Sequence, residues 1–226
     1  NGELSWKYQT DGGITTRPAI YNGVVYFGSE DKKLHAISSK TGKLQWSFLT
    51  EGPIRCSPLI AGAHIITGSD DGYLYAINIA SSKITWRIDS GGAIRSTPIS
   101  ANELIVFGNE NGEVHCIDLR GEVIWRFKAK RAITSSPVYY EGVVYFTSHD
   151  GTCYALDGNS GWVIWRFRMS KGSISSPCAQ DNYLYFGSAD GYLYCIDCGS
   201  GREEWRFKTE HQVSGSPMVF NQSVYC

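Results

Sequence analysis

The chain has 226 residues, with 21 Lys and Arg against 22 Asp and Glu and a formal net charge of −1. That is long enough for a sizeable core, and the balance carries neither the overall basicity that marks nucleic-acid binding nor an overall acidity that would call for basic partners. Glycine and aromatic residues are abundant, as suits strands and turns; no apolar run approaches the about 18 residues of a membrane span, and residues 1–10 have no signal-peptide pattern.

One motif runs the length of the chain. Tryptophan recurs at Trp6, Trp46, Trp86, Trp125, Trp165 and Trp205, spaced 40, 40, 39, 40 and 40 residues. Proline recurs at Pro18, Pro58, Pro98, Pro137, Pro177 and Pro217 with the same spacings. Two residue types sharing one period and one deletion define a structural repeat of about forty residues.

In chain order, residues 2–8 read as a lone fourth strand, and five full units follow. Each unit predicts four short strands. The first runs into the proline, as at 174–179; the second is apolar and aromatic, as at 24–29, 104–109 and 143–148. The turn after it carries Asp71-Gly72, Asn111-Gly112, Asp150-Gly151 or Asp190-Gly191, pairs that tolerate the positive φ of a hairpin. Only Asp31-Lys32 lacks the glycine. The third strand alternates, as at 73–78 and 192–197; a second turn carries Gly42, Gly121, Gly161 or Gly201, with Ser82 in the odd copy, and the fourth strand ends in Trp-x-aromatic. The chain closes with a first strand (213–219) and the start of a second (223–226). Four strands per repeat without helical periodicity predict an all-β propeller of four-stranded antiparallel blades, with five complete repeats and a composite or incomplete sixth. Residues 1–226 read as one domain cut from a longer chain, whose open sheet edges favour dimerisation or aggregation.

The motif A-x-D-x-x-T-G-x-x-x-W appears from Ala36 through Thr41 and Gly42 to Trp46, and returns from Ala155 through Asp157 and Gly161 to Trp165 and from Cys195 through Asp197 and Gly201 to Trp205. At these residues the chain resembles the PQQ-like β-propeller repeat family, named for quinoprotein dehydrogenases. The resemblance implies that the six tryptophans are structural and dock one blade on the next. It is a resemblance of fold, since chemistry resides in sites grafted on folds. Dehydrogenases of the family use an adjacent Cys-Cys disulfide with a quinone and calcium. This chain has no Cys-Cys pair, so no cofactor is expected and the chain reads as a non-enzyme.

Four of the seven cysteines fall at small apolar slots of the repeat: Cys116 and Cys195 replace Ala36, Cys153 replaces Leu34, and Cys178 replaces Ala19. They read as core residues, with a lean towards a reducing compartment. Cys195-x-x-Cys198 has no second pair with which to hold zinc. The Asp-Gly turns lack the donor number of a calcium cage, and His35 and His115 align with Tyr75, Tyr154 and Tyr194 as half-buried aromatic positions. Arg87, Arg126, Arg166 and Arg206 follow the docking tryptophans, where charge protects an edge strand or offers a basic rim to an acidic partner. Arg17, Arg55 and Arg95 lie on the channel-lining first strand of three consecutive blades, where later blades have Thr134, Ser175 and Ser214. They predict a positive patch at one channel mouth for a small anionic ligand, a carboxylate or phosphate, unless Glu30, Asp70 or Glu110 neutralises them.

The leading functional expectation is a noncatalytic scaffold that binds protein partners, similar to the family's outer-membrane assembly lipoprotein. Neither nucleic-acid binding nor direct membrane insertion is expected. A ligand-sensing propeller appended to a kinase or acyl-activating enzyme, and a partial or degenerate quinoprotein dehydrogenase, are the alternatives.

Overall fold

A computed structural model describes residues 2–226, and every regular element among the described residues is a strand. The chain falls into two compact units, Asn1–Pro98 and Ile99–Cys226. The first holds two sheets: β1 (Ala19–Tyr21), β2 (Val24–Gly28), β3 (Lys33–Ser38) and β4 (Leu44–Leu49), then β5 (Leu59–Ala61), β6 (His64–Gly68), β7 (Tyr73–Asn78) and β8 (Ile84–Asp89). The second holds three: β9 (Ile99–Ala101), β10 (Leu104–Gly108), β11 (Glu113–Asp118) and β12 (Val123–Lys128); β13 (Val138–Tyr140), β14 (Val143–Thr147), β15 (Thr152–Asp157) and β16 (Val163–Arg168); β17 (Cys178–Gln180), β18 (Tyr183–Gly187), β19 (Tyr192–Asp197) and β20 (Glu203–Lys208). A two-stranded sheet, β21 (Met218–Phe220) with β22 (Ser223–Tyr225), completes it. Each four-stranded sheet is an antiparallel meander in sequence order, one sheet to a repeat.

Turn chemistry fixes the meander. Asn22 and Gly23, both at positive φ, join β1 to β2, as Asn102 and Glu103 join β9 to β10; paired positive φ values give the hairpin turn whose twist matches the strands. Between the second and third strands φ is +90° at Gly72 and +70° at Lys32, so the repeat lacking the glycine keeps the same turn at the expense of a strained lysine. Before every repeat tryptophan of a full sheet the fourth strand bulges: Ala36 pairs with Trp46 but Ile37 pairs with Leu44.

Two expectations need correction. The first strand begins after the proline, at Cys178 rather than Ile174. Proline has no N–H to give a ladder, and the residues before it bond to the next repeat instead. Residues 2–8 form no strand, because no third strand of their own sheet lies beside them to supply a ladder.

Within each unit the core lies between consecutive sheets. Tyr26, Leu34 and Ala36 of the first repeat pack with Ile54, Ile65, Tyr75 and Ile77 of the second. Val106, Val114, Cys116 and Trp125 pack with Val144, Phe146, Tyr154 and Leu156. In the first, third and fourth repeats the aromatic of the Trp-x-aromatic triplet meets an aromatic ring of the following repeat edge-on: Phe48 on Tyr75 at 5.5 Å, Phe127 on Tyr154 at 5.1 Å and Phe167 on Tyr194 at 5.4 Å, contacts worth about 0.5–1.5 kcal/mol each beyond burial.

Close approach is set by one pair of positions. A Cβ on Gly28 would overlap the side chain of Ile54 from the next repeat, and the same holds for Gly68 with Ile94, Gly108 with Ile133 and Gly187 with Val213. In the fourth repeat the glycine is Thr147 and its opposite number is Ser173. A larger residue faces a smaller one, and the new hydroxyls are satisfied: Thr147 Oγ1 donates to Ser175 O at 2.8 Å and Ser173 Oγ to Gly187 O at 2.6 Å.

Candidate functional site

The turn after the second strand carries an aspartate in every repeat but the third, which has Asn111, and in the second, fourth and fifth repeats it ties two repeats together. Asp71 accepts from Tyr73 N (2.9 Å), from Tyr75 OH (2.9 Å) and from Glu51 N of the preceding repeat (2.9 Å). Asp150 repeats this with Thr152 N, Tyr154 OH and Lys130 N at 2.9, 2.8 and 3.1 Å, and Asp190 with Tyr192 N, Tyr194 OH and Ser170 N. In the first repeat His35 Nε2 takes the tyrosine's part, 3.0 Å from Asp31. Burial of the Tyr154 and Tyr194 hydroxyls, reinforced by these carboxylates, pushes both up to about 12. His35 and His115 are fully buried rather than half-buried, stacked on Phe27 and Phe107.

Arg55 and Arg95 converge on one acid. Arg95 grips Asp70 with two donors, Nε to Oδ1 at 3.0 Å and Nη2 to Oδ2 at 3.1 Å. Arg55 donates from Nη1 to the same Asp70 and from Nε to Glu30 Oε1 at 3.0 Å. The Asp70 side chain is 12% exposed and the two guanidinium side chains 34% and 41%. Two cations thus meet two anions. Arg17 stands apart: its side chain is exposed, and its backbone N donates to Ser57 Oγ at 2.8 Å.

The same residues change together along the chain. Where the arginine becomes Thr134, the acid equivalent to Asp70 becomes His149, and the two bond at 2.9 Å. In the fifth repeat the equivalent of Arg55 is Ile174, not Ser175 as the sequence reading had it, and the acid's place is taken by Ala189; both line one small hollow. Ser175 occupies the slot of Thr16, Cys56 and Ser135, whose side chains all bond the last residue of their second strand. A further chain of hydrogen bonds links equivalent residues 40 apart, Ser57 N to Thr97 Oγ1 in the first unit and Ser136 N to Ser176 Oγ, then Ser176 N to Ser216 Oγ, in the second.

The tryptophans bond across the repeat boundary. Trp6, Trp125 and Trp165 donate Nε1–H to the carbonyls of Ser39, Gly158 and Cys198 at 2.8, 2.9 and 2.8 Å. Their rings lie over Gly42, Gly161 and Gly201, each of which holds a positive φ and leaves no room for a side chain. Trp46 packs in the core cluster of the first unit, and Trp205 is 42% exposed. Of the cysteines, Cys56, Cys116, Cys153, Cys195 and Cys198 are buried, Cys178 is half-buried and Cys226 exposed. Burial pushes Cys56, Cys195 and Cys198 up to about 11 and Cys116 to about 12, values of unreactive thiols.

One surface was read from sequence only in part, through Arg126 and Arg166 of the basic rim. The third and fourth repeats carry Arg126, Lys128, Lys130 and Arg131, then Arg166, Arg168 and Lys171, all exposed. All but Arg126 line two hollows of about 350 and 470 Å³ that share Lys130 and Asp150. The signal was local charge density, four cations within residues 126–131, which a whole-chain balance of −1 conceals.

Comparison with known proteins follows the repeat. A family model described as outer membrane protein assembly factor BamB matches residues 1–87, 71–176 and 150–226. No curated protein matches the chain. Among solved structures, BamB from Moraxella catarrhalis is 19% identical, with 99% of this chain and 83% of that one covered and a TM-score of 0.65. The computationally designed Ika8 protein is 17% identical over 95% of this chain and 68% of that one, with a TM-score of 0.82. The quinohemoprotein alcohol dehydrogenase ADHIIG from Pseudomonas putida HK5 is 16% identical over 90% of this chain but 43% of that one, with a TM-score of 0.74. At these identities the structures speak for the fold, an all-β propeller of four-stranded blades, and the repeat, the sheets and the matching family model together place the chain in the PQQ-like β-propeller family of the outer membrane protein assembly factor BamB.

Proposed function

We infer that this chain is a noncatalytic propeller that presents its surface to protein partners, with the six tryptophans as docking residues between blades. One observation carries the reading: the residues capable of chemistry are occupied in holding repeats together. The turn aspartates accept from backbone and tyrosine, Asp70 holds two arginines, and burial makes the thiols poor nucleophiles. What varies from repeat to repeat is the exposed outer strand, and loops and edges on a rigid frame are where binding resides. The kinship with BamB supports a scaffold; the likeness to a dehydrogenase is one of fold, over less than half of that enzyme.

Two measurements test it together. Pyrroloquinoline quinone, calcium and primary alcohols are supplied with an electron-accepting dye, and immobilised protein is challenged with the native extract. The expected result is no quinone-dependent dye reduction and saturable retention of specific proteins. Turnover would establish the dehydrogenase reading instead. Retention of a small anion that is abolished by Arg17→Ala together with Arg55→Ala and Arg95→Ala would favour the ligand-sensing one.

A further inference from the structure

The outer strands of the third and fourth repeats differ from those of the first and second at both ends. At their C-terminal ends stand Lys128, Lys130 and Arg131, and Arg168 and Lys171. The equivalent residues are Leu49, Glu51 and Gly52 in the first repeat and Asp89, Gly91 and Gly92 in the second; the fifth keeps one cation, Lys208, followed by Glu210 and His211. At their N-terminal ends, Ile124 and Ile164 are each 49% exposed and Trp162 is 78% exposed. Other repeats place Gln45, Thr85 and Glu204 where the isoleucines are, and Lys43, Lys83, Glu122 and Arg202 where Trp162 is. β12 and β16 are each the terminal strand of their sheet.

The cations are not neutralised as Arg55 and Arg95 are. Two acids face them. Glu113 lies 3.3 Å from Lys128 Nζ, and Asp150 already accepts from Lys130 N, Thr152 N and Tyr154 OH. At the position where the earlier repeats carry Glu30 and Asp70, this groove has His149. Arg166 lies over the Tyr154 ring, 5.8 Å from its centroid, which fixes one wall.

Resting on the scaffold reading, we propose that this face binds an extended, acidic segment of a protein partner. Its carboxylates enter the two hollows between Lys128, Lys130, Arg168 and Lys171, and apolar side chains at its other end cover Ile124, Ile164 and Trp162. The four residue steps from Ile164 to Arg168 span about 13 Å of strand, so about six to eight extended residues reach from one end of the face to the other. Charge complementarity selects the acidic end, and guanidinium groups match carboxylates in pairs. Concave hollows admit single side chains but not a plane of lipid headgroups, and exposed isoleucines call for apolar side chains that a nucleic-acid backbone does not have.

The probe is a fluorescent peptide of about ten residues, a few valines followed by alternating Glu and Asp, titrated against the full chain and read by anisotropy. Binding is expected to weaken steeply as NaCl rises from about 50 to about 500 mM. Lys130→Glu with Arg168→Glu is expected to reduce affinity about tenfold or more, and Trp162→Ala with Ile164→Ser severalfold, while Arg87→Glu on the second repeat has no effect. An unchanged urea midpoint confirms that the variants fold. Equal binding by wild type and the Lys130/Arg168 variant overturns the proposal. So does tighter, Lys130- and Arg168-dependent binding to phosphatidylserine vesicles or to an oligothymidine, which would assign the groove to a membrane or to nucleic acid. The extract and quinone measurements score the scaffold reading separately, so a protein that retains partners yet ignores the peptide loses only this groove.

Discussion

Arg55 and Arg95 in the first unit and Arg166 and Arg168 in the second are the same side chain put to opposite uses. The first pair closes on Glu30 and Asp70 and ends with no net charge. The second pair borders hollows whose acids are fewer than their cations. An arginine marks a binding surface when its own chain leaves it without a counter-ion, and the internal repeats show which case applies: where the pairing arginine is lost, so is its acid, as at Thr134 with His149 and Ile174 with Ala189.

Asp70→Ala is the harshest way to break this contrast. It leaves Arg55 with Glu30 alone and takes from Arg95 its two-donor grip, and with both guanidinium groups about a third exposed the cost is about 2 kcal/mol, less than for a fully buried pair. The urea midpoint measures it, and a change below about 0.5 kcal/mol would mean that the arginines are not structural.

The turn carboxyls test whether the two units share their other acidic device. Burial works to raise Asp190, but hydrogen bonds from Tyr194, Ser170 and Ser188 outweigh it and hold the group below the usual carboxylate range. Asp31 is lowered in the same way, burial being overcome by Lys33 N–H and His35. A carboxyl lowered in the folded state adds stability that is complete above its unfolded value of about 3.9 and is lost as pH falls through the folded one. Asp190→Asn is therefore expected to cost about 1–2 kcal/mol at neutral pH and to flatten the acid limb of a stability–pH curve below about pH 4. An unaltered limb would count against the role.

Lys32→Gly acts in the opposite direction. Relieving a non-glycine residue at φ +70° is expected to raise stability by about 1 kcal/mol, seen as a higher urea midpoint. Smallest of all is the effect of Lys130→Glu with Arg168→Glu on folding, within about 0.5 kcal/mol. A large loss there would show that the groove, too, serves the fold.

Most of the fold was legible because the repeat is written in residues whose physics is local. Gly72, Gly112, Gly151 and Gly191 mark turns, and Trp125 and Trp165 mark sheet boundaries. What escaped depended on neighbours on another strand or in the next repeat. The strand seemed to run into Pro177, since nothing local reveals that Ser176 N bonds Ser216 Oγ. His115 seemed half-buried because its cover, stacked Phe107, sits on another strand. The arginines of the first unit were legible as candidates, and their acids were named, but the convergence of two on Asp70 is a matter of three dimensions. Of the cationic groove, Arg126 and Arg166 were legible as part of a basic rim, but its concentration in the third and fourth repeats escaped, because charge was averaged over too long a stretch.

The exchange of Gly and Ile for Thr147 and Ser173 has a consequence for how such a chain can change. Complementarity there belongs to a junction and not to a module, because one half lies in each neighbour. Duplicating, deleting or reordering whole modules would set threonine against isoleucine or leave a hollow between glycine and serine. The heritable segment of forty residues and the physically self-consistent one are therefore out of phase, and shuffling succeeds only when the cut falls so that both halves of a junction travel together.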